Sequence, residues 1–270
     1  MQEKSNNQPE NSVKFQRIIG VINVLNGIAV QSFGYKKHLP LGRVEIAVEY
    51  MHRWDVDEIL IQDISASARN TIIDIELISR ATKNCFIPVT VGGGIRTLGD
   101  IQTVLNHGAD KVLMNKIVTE NPSILTDVST VFGSQCIVCG VELAKSTEGD
   151  YFVTTDSGRT IFHRKPKEWL HHIKELGAGE ILVSFVDRDG NGSGYDTDFI
   201  STYCRDLDCP AIVFGGVSHF QHLVDGWRAG ADGVAFGNRI HHMEHSISLA
   251  REYFRKGNIP VRSGHGPRYN

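Results

Sequence analysis

Apolar residues along this chain gather in short dense runs, separated by longer stretches in which they recur every three or four positions. The runs are Arg17–Asn23, Glu58–Ile64, Ile87–Gly93, Lys111–Asn115, Cys136–Glu142, Glu180–Val186, Ala211–Gly216 and Gly233–Gly237. They are rich in Val and Ile and apolar at nearly every position, as in parallel strands covered on both faces. The stretches between them predict helices, among them Val44–Trp54, Ile72–Asn84, Asp100–His107, Pro122–Val131, Pro166–Leu176 and Phe199–Asp206. Gly108, Gly133 and Gly177 stand where helices should stop. Eight strand–helix units predict one (β/α)8 TIM barrel over residues 15–258. A flexible polar tail (1–14) and a C-terminal tail (259–270) flank it. An open doubly wound sheet is the alternative.

The chain also repeats itself. Glu58-Ile-Leu-Ile, Gly93-Gly-Ile and Gly108-Ala-Asp recur as Glu180-Ile-Leu-Val, Gly215-Gly-Val and Gly230-Ala-Asp, each 122 residues later. Three blocks at one offset predict two duplicated half-barrels, related by a pseudo-twofold axis along the barrel. A site formed by one half then has a twin in the other.

Composition narrows the class. The net charge is −3, hydrophobic residues make up 41% and charged residues 22%, so the chain is neither disordered nor collagen-like. This charge gives no footprint for nucleic acid, and no apolar run is long enough for a membrane helix. The polar start carries no signal peptide, which with an odd number of cysteines predicts a cytoplasmic protein. Cys136 and Cys139 read C-x-x-C within a strand, where residues three apart point to opposite faces, so no metal is expected there.

In such barrels the active site lies at the C-terminal ends of the strands. Glycine pairs, Gly93-Gly94 and Gly215-Gly216, end the third and seventh strands. Glycine lets backbone N–H groups approach a phosphate, and it also serves a tight turn. Two pairs related by the twofold favour two phosphate sites on one ligand, completed by Asn115 and by Gly237-Asn238-Arg239. Polar residues end the other strands: Asn23, Asp63, Glu142, and Asp187 with Asp189. Charges facing a barrel mouth are costly unless used or paired. The segment 187–198 imitates an EF-hand loop but follows a strand, so it reads as a glycine-rich active-site loop. His241 and His245 have the i, i+4 spacing of a helical metal pair, though a solvated helix is the simpler reading. No metal and no cofactor are expected. On the opposite rim, Arg17, Glu58, Lys111 and Glu180 begin the first, second, fourth and sixth strands. Spacing alone makes them a structural ring of ion pairs.

The stretches Thr90-Val-Gly-Gly-Gly-Ile95, Gly108-Ala-Asp-Lys-Val112, Glu120-Asn-Pro-Ser123, Phe132-Gly-Ser-Gln135, Gly177-Ala-Gly-Glu-Ile181, Asp187-Arg-Asp-Gly and Ser193-Gly-Tyr-Asp196 resemble the cyclase subunit of imidazole glycerol phosphate synthase. The similarity runs from about Phe15 to Val261. It implies a barrel that takes ammonia from a class I glutamine amidotransferase (glutaminase) docked on its bottom, as a heterodimer, and adds it to a phosphorylated substrate at the top. It implies that Arg17, Glu58, Lys111 and Glu180 form an ammonia gate, which must loosen to pass anything, and that Asp110 faces the glutaminase. The family's phosphate-site glycines match, as do Asp63, Asp189 and Gly190.

The family's two catalytic aspartates, general acid and base, are here Asn23 and Glu142. Asn exchanges no proton near pH 7, and the longer Glu misplaces its carboxyl by about 1 Å, a shift that can cost roughly 10²-fold. The family's first-loop Lys is Gln31. A small Ser and a Thr at the phosphate sites become Phe214, expected to narrow the second site, and Lys116, placed to add charge. The resemblance therefore implies a synthase-type lyase subunit with weak or absent histidine-pathway activity. Its relatives of this kind resemble proteins that, with a glutaminase and a separate amidase-like ligase, amidate bacterial surface sugars. The histidine-pathway cyclase and a non-catalytic ammonia conduit are the alternatives.

Overall fold

The computed structural model describes residues 16–242 and 245–264, so residues 1–14 of the expected N-terminal tail lie outside the described residues. Among the described residues twelve strands form: β1 (Arg17–Leu25), β2 (Ile28–Phe33), β3 (Lys37–Gly42), β4 (Glu58–Asp63), β5 (Val89–Gly92), β6 (Lys111–Met114), β7 (Ile137–Lys145), β8 (Tyr151–Thr155), β9 (Thr160–Phe162), β10 (Glu180–Phe185), β11 (Ala211–Phe214) and β12 (Gly233–Phe236). Strands β1, β4, β5, β6, β7, β10, β11 and β12 pair in parallel in that order, and β12 returns to β1. These eight strands thus close into a barrel.

Along β1 the side chains alternate. Ile18, Ile22 and Val24 pack against the surrounding helices, while Ile19 and Val21 join Leu60, Leu113, Val138, Leu182, Ile212, Phe214 and Ala235 inside the barrel. This inner layer separates a charged floor from a polar mouth. Each helix gives its apolar stripe to the outside of the barrel. Asp74 accepts the Glu76 N–H at the start of helix 75–82, and Thr97 with Asp100 forms a capping box at helix 98–106.

The expected eight strands are the barrel strands. The four others are antiparallel hairpins, β2–β3 after β1 and β8–β9 after β7. The segment expected as a helix over 199–206 is instead one α-turn followed by a π-turn at Ile200–Cys204. Residues 259–264, expected as the start of a tail, lie against the barrel. Val261 bridges to Gln16, and Arg262 bonds Asp55 and Asp57 beside the buried Arg251.

Register fixes the pseudo-twofold. Glu58 pairs with Ile19 and Glu180 with Val138, so β1 superposes on β7 at an offset of 119 residues. From β4 and β10 onward the offset is 122, since Gln62 pairs with Gly92 as Ser184 pairs with Phe214 in register. Asn23 and Glu142 are therefore twofold mates, and each strand that carries one is followed by a hairpin. The repeated Gly-Ala-Asp has a structural cause. Asp110 accepts the Val89 N–H and its mate Asp232 accepts the Ala211 N–H, both at 2.8 Å, tying each loop to the neighbouring strand.

Candidate active site

The floor is a closed ring. Arg17 Nη1 lies 3.3 Å from Glu58 and 3.0 Å from Glu180, while Lys111 Nζ lies 3.1 Å from Glu58 and 3.0 Å from Glu180. Thr90 Oγ1 donates to Glu58 at 2.9 Å. All four expected ring residues meet, with every pair formed and no loosened link. The exposed carboxyl of Asp110 stands beside this ring and is committed to the Val89 amide.

At the mouth, Asn23 is buried and accepts from Gln62 Nε2 at 2.6 Å. Its mate Glu142 accepts from Asn115 Nδ2 at 2.8 Å and from the Gly158 N–H at 2.9 Å. Desolvation outweighs both bonds and pushes the Glu142 carboxyl up to about 7. The β7 side of the mouth thus holds a group able to exchange protons near neutral pH, and the mate position on β1 does not. Asp63 is used locally: its carboxylate accepts from Ser65, the Ala66 N–H and Arg69, folding its own loop.

The glycine pairs sit where expected, and their backbone demands them. Gly93 and Gly94 have φ of 132° and 68°, Gly215 and Gly216 of 114° and 87°, and a side chain on Gly94 or Gly216 would overlap the Thr71 or Gly194 carbonyl. The surrounding space differs between the halves. Gly93, Gly94, Asn115, Lys116 and Glu142 line a cavity of about 120 Å³. Gly190, Gly215, Gly216, Gly237 and Asn238 line one of about 20 Å³, with Phe214 in its wall.

The hairpins, absent from the sequence reading, supply further site residues. The first lies over the smaller cavity. Asp189 accepts from Ser32 Oγ at 2.7 Å and from the Tyr35 N–H at 3.0 Å, and Asn238 bonds both backbone groups of Ser32. Gln31 Nε2 reaches the Asn238 carbonyl at 3.4 Å. Tyr35, at the tip, drops into the larger cavity, where its phenol meets Gln62. Burial, then the Asp189 and Glu142 carboxylates, hold its pKa well above the ordinary value. In the second hairpin Asp156 pairs with Lys116 at 3.0 Å. Two turn signals were readable: Asn26-Gly27, with φ of 51° and 81°, and Asp156-Ser157-Gly158, with φ of 55°, 61° and 79°.

Two other sequence candidates dissolve. The 187–198 acids share no centre, since Asp189 turns to the hairpin and Asp196 to Arg188. His241 belongs to a 3-10 turn, whereas His245 precedes the last helix at φ 60°, so the two share no helix face. Among the described residues no group of three or more potential metal ligands forms, and no helix is long and apolar enough to cross a membrane.

Residues 17–246, nearly the whole barrel, match the family described as histidine biosynthesis protein. The chain belongs to that family. It is 38% identical over 249 residues to a putative imidazole glycerol phosphate synthase subunit, hisF2, of Vibrio vulnificus, covering 91% of this chain and 90% of that one. It is 35% identical to subunit HisF of the same synthase from Pelodictyon phaeoclathratiforme, covering 92% and 98%, and 35% identical to that of Gluconacetobacter diazotrophicus, covering 91% and 95%. Within the family the chain is thus a divergent cyclase-subunit-like barrel.

Proposed function

We propose that the chain is the ammonia-receiving subunit of a glutamine-dependent amidotransferase complex, docked on a class I glutaminase. Its acceptor is a phosphorylated small molecule other than the histidine-pathway substrate, in the amidation of a surface sugar, with a separate amidase-like ligase as a further partner. The observation that carries this reading is the four-membered ion-pair ring across the barrel floor. Replacing buried ion pairs with apolar side chains is often neutral or stabilising, so stability alone does not call for charges there. Directly above the ring, the inner layer of Ile19, Val21, Leu60, Leu113, Val138 and Leu182 accepts neutral ammonia far more readily than ammonium. The layer ends at Asn115 and Glu142.

The ring is closed in the free barrel, so passage requires one pair to part, and docking beneath it supplies the occasion. The helix C-termini and the α-to-β loops around the ring expose Tyr50, Phe86 and Val131, with Phe86 at 81%. An apolar rim around a charged centre suits a protein partner better than solvent. Asn23 is the reason to set the histidine-pathway acceptor aside, since loss of an acid–base group costs roughly 10²–10⁴ in rate.

The test is complementation. A strain lacking the histidine-pathway cyclase and carrying this gene should fail to grow without histidine. Growth would return the chain to the ordinary cyclase reading, with Glu142 as its remaining proton-transfer group.

A further inference from the structure

The pseudo-twofold allows the two halves of the mouth to be compared position by position. Gly92 in the first half is the mate of Phe214 in the second, and Gly140 is the mate of Val21. A side chain on Gly92 would come within 2.8 Å of Leu113, so that position admits none, and no aromatic ring stands there as Phe214 does in the second half. Phe214 is 4% exposed and its ring borders Gly237. Charge diverges in the same sense. Lys116 is the mate of Asn238, and Ser67 is the mate of Asp189. The first-half cavity therefore has a cation, 41% exposed, on its wall, paired with Asp156 and joined in the lining by Arg96 and Arg159 as well as by the carboxyls of Asp63, Glu120 and Glu142. The second-half cavity has an amide and a buried carboxylate.

Chain occupies the second half as well. A side chain on Gly190 would meet the Ser32 carbonyl at 2.7 Å, so the first hairpin rests on the backbone that a phosphate would approach. Asn238 spends both ends of its side chain on Ser32.

We propose that Phe214 is a specificity-determining residue, which closes the second-half cavity to an anionic group. The acceptor then carries a single phosphate, seated in the first-half cavity between Gly93-Gly94 and Lys116, and its other end is uncharged. Such a ligand suits a site whose second half offers aromatic and amide surface. The inference rests on the proposed function only in treating the mouth as the acceptor site, and it is tested on the isolated barrel with no glutaminase present.

The experiment is an amide NMR titration with inorganic phosphate, then with a sugar monophosphate and a pentose bisphosphate. Inorganic phosphate should shift the Gly93 and Gly94 amides and leave Gly215 and Gly216 in place, and Lys116→Met should abolish the shift. The bisphosphate should bind within about threefold of the monophosphate, and Phe214→Ser should raise bisphosphate affinity about tenfold or more, a change near 1.4 kcal/mol. Phe214→Leu serves as the milder variant if the Ser form does not fold. The proposal is overturned by shifts at both glycine pairs or by a wild-type barrel that prefers the bisphosphate tenfold. It is equally overturned by no shift at either pair, or by folded Phe214 variants that gain nothing.

Discussion

Gly92 and Phe214 hold the same place in the two half-barrels, as do Lys116 and Asn238, and Asn23 and Glu142. The backbone plan is common to both halves: a glycine pair at positive φ, an aspartate tying a loop back to the preceding strand, and a hairpin after the first strand. The side chains that would touch a ligand are not common. The cavity at the first glycine pair is open, lined by both signs of charge and reached by Glu142 from the other half, whereas the cavity at the second pair is filled, amide-lined and covered by the hairpin that follows β1. Duplication thus conserves what the fold requires and leaves the mouth free to differ. The glycine pairs illustrate the point, because the turn requires them in both halves.

The largest expected difference between the mates is a pH effect. The folded Glu142 carboxyl, at about 7, lies above an ordinary unfolded value near 4.3, so the folded state holds this proton more tightly. Its contribution is full below about pH 4 and is lost as pH rises through about 7. Between pH 4.5 and 8 the wild type should lose roughly 3 kcal/mol relative to Glu142→Gln, read from urea unfolding at both pH values. Equal pH dependence in the two proteins would mean that Glu142 is solvated, and the asymmetry of the mates would disappear.

The hairpins come next. Asp189→Asn weakens the bonds from Ser32 and Tyr35 to a buried carboxylate, and should cost about 1–2 kcal/mol. Amide exchange across 32–37 should speed up at least about tenfold, as a strap losing its anchor would. The matching change in the second hairpin, Asp156→Asn, should cost less than about 0.5 kcal/mol, because the Lys116–Asp156 pair is partly exposed and screened. A reversed order would mean that the second hairpin is the anchored one.

The barrel, its eight strands and its duplication were legible because strands buried on both faces leave unbroken Val and Ile runs and because the repeat is gapless over three of the four units in each half. The ring was legible from four charges, each standing at the first position of an otherwise apolar run. The hairpins were not. Ile28–Phe33 and Tyr151–Thr155 are short, each with two adjacent polar residues, and follow a strand where the barrel pattern leads one to expect a helix, so only their turn residues betray them. With the hairpins went Tyr35, Ser32 and Asp156, which reach the mouth from outside the barrel. The occupation of Gly190 and Asn238 by chain was hidden for the same reason. Nor could spacing tell that Asp63 and Asp110 spend their carboxylates on backbone amides.

Whether a glutaminase covers the charged floor is measured most directly by affinity. Isothermal titration of the barrel with the class I glutaminase of the same genome should give a 1:1 complex with Kd below about 1 μM. Phe86→Asp, on the apolar rim and clear of the ring, should weaken it about tenfold or more. A barrel that shows no association at concentrations of about 50 μM, more than an order of magnitude above that Kd, would contradict the account and leave Arg17, Glu58, Lys111 and Glu180 as a structural plug.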